Sequence, residues 1–303
     1  MLYYNLKNVF LQLFINHIIE TYMKKYFLTC CIIFAATILI TSCGEDEGST
    51  DTNPTFASYF ENNEGTSWVY DNYVITQDEE ETFIQKLALQ DTLTQGANKV
   101  VLGKDAMSMR HRFINPIMSS STVANYAMAE DKSDSKLYVN DEFLKIFVIE
   151  YLQSFLDIVF DSEKWYILAD AKATKEWTID SFLLTEVELP GPSGMPITLN
   201  GHLKFAGIRE KDTTIKSINS HTFSLNIFFK GTTTLAIGPF PFTVPVRIDF
   251  KKIDFYLGEK KGLLGIYSPA NTVLLTLENP VPDYPSTMSL PMTLDGFDKK
   301  LED

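Results

Sequence analysis

Residues 222–229 read Thr222-Phe223-Ser224-Leu225-Asn226-Ile227-Phe228-Phe229, with an apolar side chain at every odd number. A period of two puts Phe223, Leu225, Ile227 and Phe229 on one side of an extended chain, which makes a strand with one buried and one wetter face. Two further runs share the pattern. Ile197, Leu199, Leu203 and Phe205 alternate with Thr198, Asn200, His202 and Lys204, and Val244, Val246, Ile248 and Phe250 alternate with Pro245, Arg247 and Asp249. The last run then changes parity, its apolar set moving to Ile253, Phe255 and Leu257. A one-residue slip inverts the faces of a strand, so Lys251-Lys252 marks a bulge in one long, curved strand. Gly207, Gly231 and Gly238-Pro239 read as punctuation between strands. The run from Leu263 to Leu277, interrupted at Ser268-Pro269, reads as two strands joined by a turn. The expected fold class is mainly β, a curved antiparallel sheet or half-barrel with one amphipathic helix packed on it.

The helix is expected where the alternation fails. Asn140-Asp141 offers a cap for a helix running to about Phe160. Phe143, Phe147, Tyr151 and Phe155 recur at i, i+4 on one side, with Glu150, Ser154, Asp157 and Asp161 opposite. Such a helix either packs on the concave side of the sheet or acts as a lid over an apolar pocket. Asn279 to Asp303 carries closely spaced prolines and is expected to wrap the surface as an extended tail.

The N-terminal segment is of a different kind. Met23-Lys24-Lys25 is basic, Tyr26 to Ile40 is apolar, and Ile40-Thr41-Ser42-Cys43 closes the run with small residues before a cysteine. Basic start, short apolar core and small residues before the cut mark a secretory signal. The apolar run is shorter than the roughly 20 residues a spanning helix needs. This motif resembles the bacterial lipobox, with Ile40 where leucine is commonest. The resemblance implies that Cys43 is acylated and becomes the first residue of the mature protein, and several acyl chains make a stable anchor. Residues 1–22 precede the better start at Met23 and read as a mis-assigned start, 23–42 as the signal peptide and 43–55 as an acidic flexible tether. Residues 56–303 are expected to form a single β-rich domain with a seam near 190–196. The acidic stretch from Gly44 to Asp51 looks like the export signal of Bacteroidota lipoproteins bound for the cell surface. The pattern Phe60-x4-Gly65-x2-Trp68-x-Tyr70 is similar to the opening of uncharacterised lipoproteins of that group, which implies an antiparallel β body. By alternation alone, Trp68 and Tyr70 share a face and belong to the core.

Removal of 42 residues from 303 leaves 261, with 23 basic and 38 acidic residues. A charge of −15 argues against nucleic acid as a partner, because phosphate binding needs clustered Lys and Arg. Cys30 and Cys31 leave with the signal peptide, so no disulfide framework or thiolate metal site is expected. His111, His202 and His221 lie in no zinc-binding spacing, and no nucleophile elbow or phosphate-binding glycine loop occurs. No catalytic residue, metal site or cofactor is therefore nominated. Asp78-Glu79-Glu80-Glu81 reads as a charged hairpin tip. Asp91-Thr92-Leu93 and Asp212-Thr213-Thr214 match the short pattern used for O-glycosylation in Bacteroidota, with Thr92 and Thr213 as acceptors. Trp165 and Trp177 are candidate glycan-stacking rings.

These readings lead to a protein anchored to the outer membrane by lipid, on the cell surface or on the periplasmic face. Its expected role is non-catalytic binding of a ligand that the sequence does not name, with a hydrophobic small molecule, a glycan or a protein as the partner classes. The alternatives are a glycan- or protein-binding module of an uptake or adhesion system, and a polymer hydrolase. An apolar cavity would favour a small-ligand binder, a cleft with converging carboxylates the hydrolase, and a filled core with a flat surface a structural or protein-binding role.

Overall fold

The structure, a computed structural model, describes residues 58–61, 63–78, 81–146, 158–191, 196–237, 240–278 and 286–302, with backbone only over 235–241. Cys43, its leader and the tether lie outside these residues, as do Phe147, Tyr151 and Phe155. Residues Pro54–Asp303 form one compact unit.

Sixteen strands are present among the described residues: β1 (Ser67–Asp78), β2 (Glu81–Lys86), β3 (Gln90–Val101), β4 (Lys104–Asn115), β5 (Ser120–Asp131), β6 (Lys136–Val139), β7 (Tyr166–Asp170), β8 (Trp177–Pro190), β9 (Pro196–Arg209), β10 (Thr213–Ile215), β11 (Ile218–Ile237), β12 (Phe240–Gly258), β13 (Gly262–Ser268), β14 (Asn271–Leu277), β15 (Thr287–Leu294) and β16 (Gly296–Leu301). They form one antiparallel sheet in the order β7-β6-β5-β4-β3-β1-β16-β13-β12-β11-β9-β8, with β2, β10 and the β14–β15 pair attached beside that path. The sheet curls until its two ends nearly meet. Trp177 of β8 donates Nε1–H to the carbonyl of Ile167 in β7 at 2.9 Å, and the Phe160 and Phe182 rings lie 5.2 Å apart across the same seam. The mainly β, antiparallel expectation holds, and the half-barrel is nearly closed.

The alternation read from the sequence fixes which side is inside. Phe205, Phe223, Phe229, Phe250 and Phe255 are fully buried and belong to one continuous apolar interior, joined by Trp68 and Tyr70. Apolar side chains point in and polar ones out, opposite to the pattern of a β-barrel that lives in lipid. β12 runs unbroken over Phe240–Gly258, and its register against β11 shifts where Asp249 faces Phe228 and Lys251 faces Ile227. The bulge expected at Lys251-Lys252 is therefore present, with Phe250 as the extra residue.

Gly207 and Gly231 do not punctuate strands, contrary to the sequence reading. Each lies inside a strand because a ring occupies the space a side chain would need. A Cβ on Gly207 would sit 2.1 Å from the Trp177 ring, and one on Gly231 would sit 2.3 Å from the neighbouring strand's Asn200 O as well as 2.6 Å from the Phe229 ring. The proline-rich tail is also corrected: Thr287–Leu294 and Gly296–Leu301 are strands, and β16 is inserted between β1 and β13. The residues flanking 190–196 pair with each other, Pro190 opposite Pro196, so that segment ends a hairpin. β1 and β2 close similarly, with Asp78 opposite Glu81 at the expected charged tip.

Ser268-Pro269 is a jog rather than a reversal. β13 pairs with Asp254–Gly258 and β14 with Val246–Asp249, so both continue along the same neighbour, β12. A parallel jog at Leu294-Asp295-Gly296 separates β15 from β16. The β12 bulge lies level with both, and the buried Lys251 ammonium collects the carbonyls the kinks expose, donating to Pro269 O at 2.7 Å and Asp295 O at 2.6 Å. Burial pushes this lysine down to about 8, while Asp295 opposes the shift. Between that value and the unfolded one, the unfolded chain binds the extra proton, so stability rises with pH in that window. Wild type is expected to gain about 1–2 kcal/mol relative to Lys251→Met as pH is raised from about 7 to 9.5, read from paired urea titrations; parallel curves for the two proteins would refute it.

The helix is much shorter in the described residues than expected. α1 (Asp141–Leu144) starts where the sequence placed it, and Asn140 holds the N-cap position without a side-chain cap bond. Its carboxamide oxygen instead accepts from Ala127 N at 3.0 Å. Ile158–Phe160 are not helical, so the helix does not reach Phe160. Phe143 is fully buried, 5.3 Å from the Tyr126 ring and 5.9 Å from that of Phe255. It fills the interior between β5 and β12, as the packed alternative of the sequence reading has it and not as a lid over open space would.

Candidate functional site

Two polar constellations stand out, one inside the sheet and one on its outer face. Inside, Asp91 of β3, His111 of β4 and Lys299 of β16 converge with 0%, 1% and 4% of their surface exposed. Asp91 Oδ1 is 2.6 Å from His111 Nε2, Asp91 Oδ2 is 2.6 Å from Lys299 Nζ, and the lysine is 3.1 Å from the same imidazole nitrogen. The ammonium also lies 5.2 Å from the Tyr70 ring centre and 5.0 Å from that of Phe113. Burial alone would raise the Asp91 carboxyl, but the His111 hydrogen bond and the Lys299 charge outweigh it and hold the group below its ordinary value. Burial lowers both His111 and Lys299, against the pull of Asp91. The Asp91 carboxylate thus draws His111 and Lys299 together, and the Tyr70, Phe113 and Tyr126 rings enclose the three. Sequence reading missed the cluster, since its members are 20 and 188 positions apart.

The outer constellation follows from register. Tyr73 of β1 faces Asp298 of β16, which faces Tyr267 of β13, which faces Asp254 of β12, which faces Ser224 of β11. The neighbouring row runs from Asp71 through Lys300, Gly265 and Tyr256 to Thr222. Tyr256 and Tyr267 adjoin the inward Phe255 and Ile266, so their half-buried rings face out. A register shift beside Leu257 adds Leu264 to this side of β13, a bulge of the kind that re-aims side chains near sites.

Gly265 leaves a gap between the Lys300 and Tyr256 positions. The result is a hollow of about 300 Å³, lined by Tyr256, Tyr267, Asp298 and Lys300, with Thr214, Ile215 and Lys216 of the β10 edge as a wall. The Lys300 and Asp298 charges in it are paired with each other, and further pairs lie beside it. Lys300 Nζ meets Asp298 Oδ2 at 2.6 Å and lies 5.4 Å from the Tyr73 ring centre. Asp254 meets Ser224 Oγ at 2.5 Å and Lys252 at 3.5 Å, and Lys252 meets Glu210 at 2.8 Å. Burial, with Asp254 and Asp298 adding to it, pushes the Tyr256 hydroxyl up to about 12, so it remains a hydrogen-bond donor at neutral pH. A second hollow of about 280 Å³ lies by the β3 bulge, against Gly96, Ser108, Arg110 and Asn140. Among the described residues no group of acids, histidines or cysteines is arranged to hold a metal.

The nominated residues scatter. Thr213 is exposed on β10, whereas Thr92 is half-buried and the Asp91 of its motif belongs to the interior cluster. Trp165 donates to Val101 O at 3.2 Å and covers Ala106, Ala127 and Ala129 on the outer face of β4 and β5. Trp177 packs over Gly207, so both tryptophans are engaged with their own sheet. His202 is exposed, as its place in the alternation required. The tyrosines were legible only as members of the outward parity.

No protein-family model matches the chain, and no curated protein matches its sequence. Its backbone is similar to the crystal structure, at 2.70 Å resolution, of a candidate lipoprotein from Parabacteroides distasonis. The match has 11% sequence identity and a TM-score of 0.41, covering 81% of this chain and 97% of that one.

Proposed function

We propose that this protein is a lipid-anchored, non-catalytic binding protein of the outer membrane, displayed on the cell surface, that meets its ligand on the outer face of its curved sheet. The observation that carries this reading is the filling of the interior. Phe143, Phe160, Phe205, Phe223, Phe229, Phe250 and Phe255 occupy it as fully buried side chains, where an acyl carrier would need open apolar space. Binding chemistry is left to the outward rows of tyrosine, aspartate and lysine. The non-catalytic part is supported by ion pairing: Asp254 and Asp298, the acids beside the hollow, each face a lysine. The anchor rests on Ile40-Thr41-Ser42-Cys43, and surface display on the acidic stretch after it.

Two measurements test it. Native mass spectrometry of the body released from its lipid should give the polypeptide mass with no retained fatty acyl species, and a stoichiometric acyl adduct would return the carrier reading. Cys43→Ala should leave the precursor uncleaved and unlabelled by a palmitate analogue; equal label in mutant and wild type would remove the anchor from the proposal.

A further inference from the structure

We propose that the hollow floored by Gly265 is a binding site for a neutral saccharide, seating a sugar ring against Tyr256 and Tyr267. This rests on the reading that the ligand is met on the outer face, and it names the ligand class.

Three features select that class. The Tyr256 and Tyr267 rings are half-exposed on adjacent rows, offering apolar faces to the C–H side of a pyranose while their hydroxyls stay in the wet layer. Donors and acceptors are both at hand: Lys300 donates, the carboxylate of Asp298 accepts, and Tyr256 donates. The Lys300 and Asp298 charges are already paired with each other at 2.6 Å. A free anion or cation would have to break a pair to bind, whereas a polyhydroxylated neutral molecule can add hydrogen bonds around intact pairs. The missing side chain at Gly265 gives depth. A Cβ there would stand 2.8 Å from Lys299 O and 3.6 Å from the Tyr256 ring, so even alanine would intrude on the floor. At about 300 Å³ the hollow lies at the small end of ligand sites, suited to one or two rings of a longer chain.

The test is calorimetric titration of the released body with cello-, malto-, manno- and xylo-oligosaccharides, beside an acidic uronate oligomer and a basic chitosan oligomer. At least one neutral oligosaccharide should bind with Kd below about 1 mM. Tyr267→Ala and Tyr256→Ala should each weaken it by about tenfold or more, while Tyr267→Phe, which keeps the ring, should retain most of the affinity. Leu183→Ala, on exposed β8 far along the sheet, should leave binding unchanged, and thermal melts should show all variants folded. Failure of every neutral oligosaccharide, preference for a charged one, or binding that survives both alanine variants would overturn the proposal. If these fail while mass spectrometry finds the core empty, outer-face binding stands and only the saccharide falls.

Discussion

Asp91→Ala is expected to destabilise the protein by about 3–5 kcal/mol, the cost of leaving a buried charge without its partner. The substitution strands the Lys299 ammonium at 4% exposure and removes the acceptor of His111 together. Replacing all three members with apolar side chains (Asp91→Leu, His111→Leu, Lys299→Met) is expected to recover most of that loss, because no ion is then left desolvated. Urea unfolding of the two variants and wild type measures both effects; an Asp91→Ala loss below about 1 kcal/mol would mean that water reaches the site. The cluster also makes the fold acid-sensitive. Asp91 is held below its unfolded value, so its contribution is complete above the ordinary carboxylate range and is lost as pH falls through the folded value. His111 is likewise lowered, so the unfolded chain takes up its proton first on acidification, which shifts the balance in the same direction. The triple variant should lose stability less steeply than wild type below about pH 6.

Phe143→Ala is expected to cost about 3–5 kcal/mol for a second reason, the cavity left when a fully buried ring is removed from a packed core. Phe143 touches opposite walls, Tyr126 of β5 and Phe255 of β12, neither of which can collapse into the gap without moving its strand. Phe143→Leu, which keeps most of the volume, should recover more than half. If Phe143→Ala unfolded as wild type does, the ring would be covering the interior rather than filling it.

The long strands were legible because their inward faces are almost purely apolar, and the change of parity at Lys251 located the bulge without any structure. Glycine misled where a ring stands over it, as with Trp177 over Gly207, since no local pattern records what packs on a strand from elsewhere. The last strand was misread because the prolines before it, Pro280, Pro282, Pro285 and Pro291, set the reading of the whole stretch. Phe297, Lys299 and Leu301 do alternate, but a lysine at an inward position looks like solvent until Asp91 and His111 are brought beside it. The outer site follows the same logic: Tyr73, Tyr256 and Tyr267 share nothing in sequence, and only the register of β1, β16, β13 and β12 lines them up.

The Ser58–Phe60 segment shows how the opening motif earns its spacing. Tyr59 and Phe60 donate backbone N–H to Glu130 at 2.7 and 3.1 Å, and Ser58 donates its hydroxyl to the same carboxylate. Gly65, at φ +89°, turns the chain so that Trp68 meets Phe60 edge-on and donates to Lys261 O at 2.7 Å.

Strand β16 carries a consequence for folding. It is the last of the described strands along the chain, yet it lies between β1, the first of them, and β13. Until residues 296–301 are in place, both neighbours present bare borders and Asp91 lacks Lys299. The sheet therefore cannot close between β1 and β13 until that hexapeptide is added, which makes its arrival the step that commits the chain to the fold.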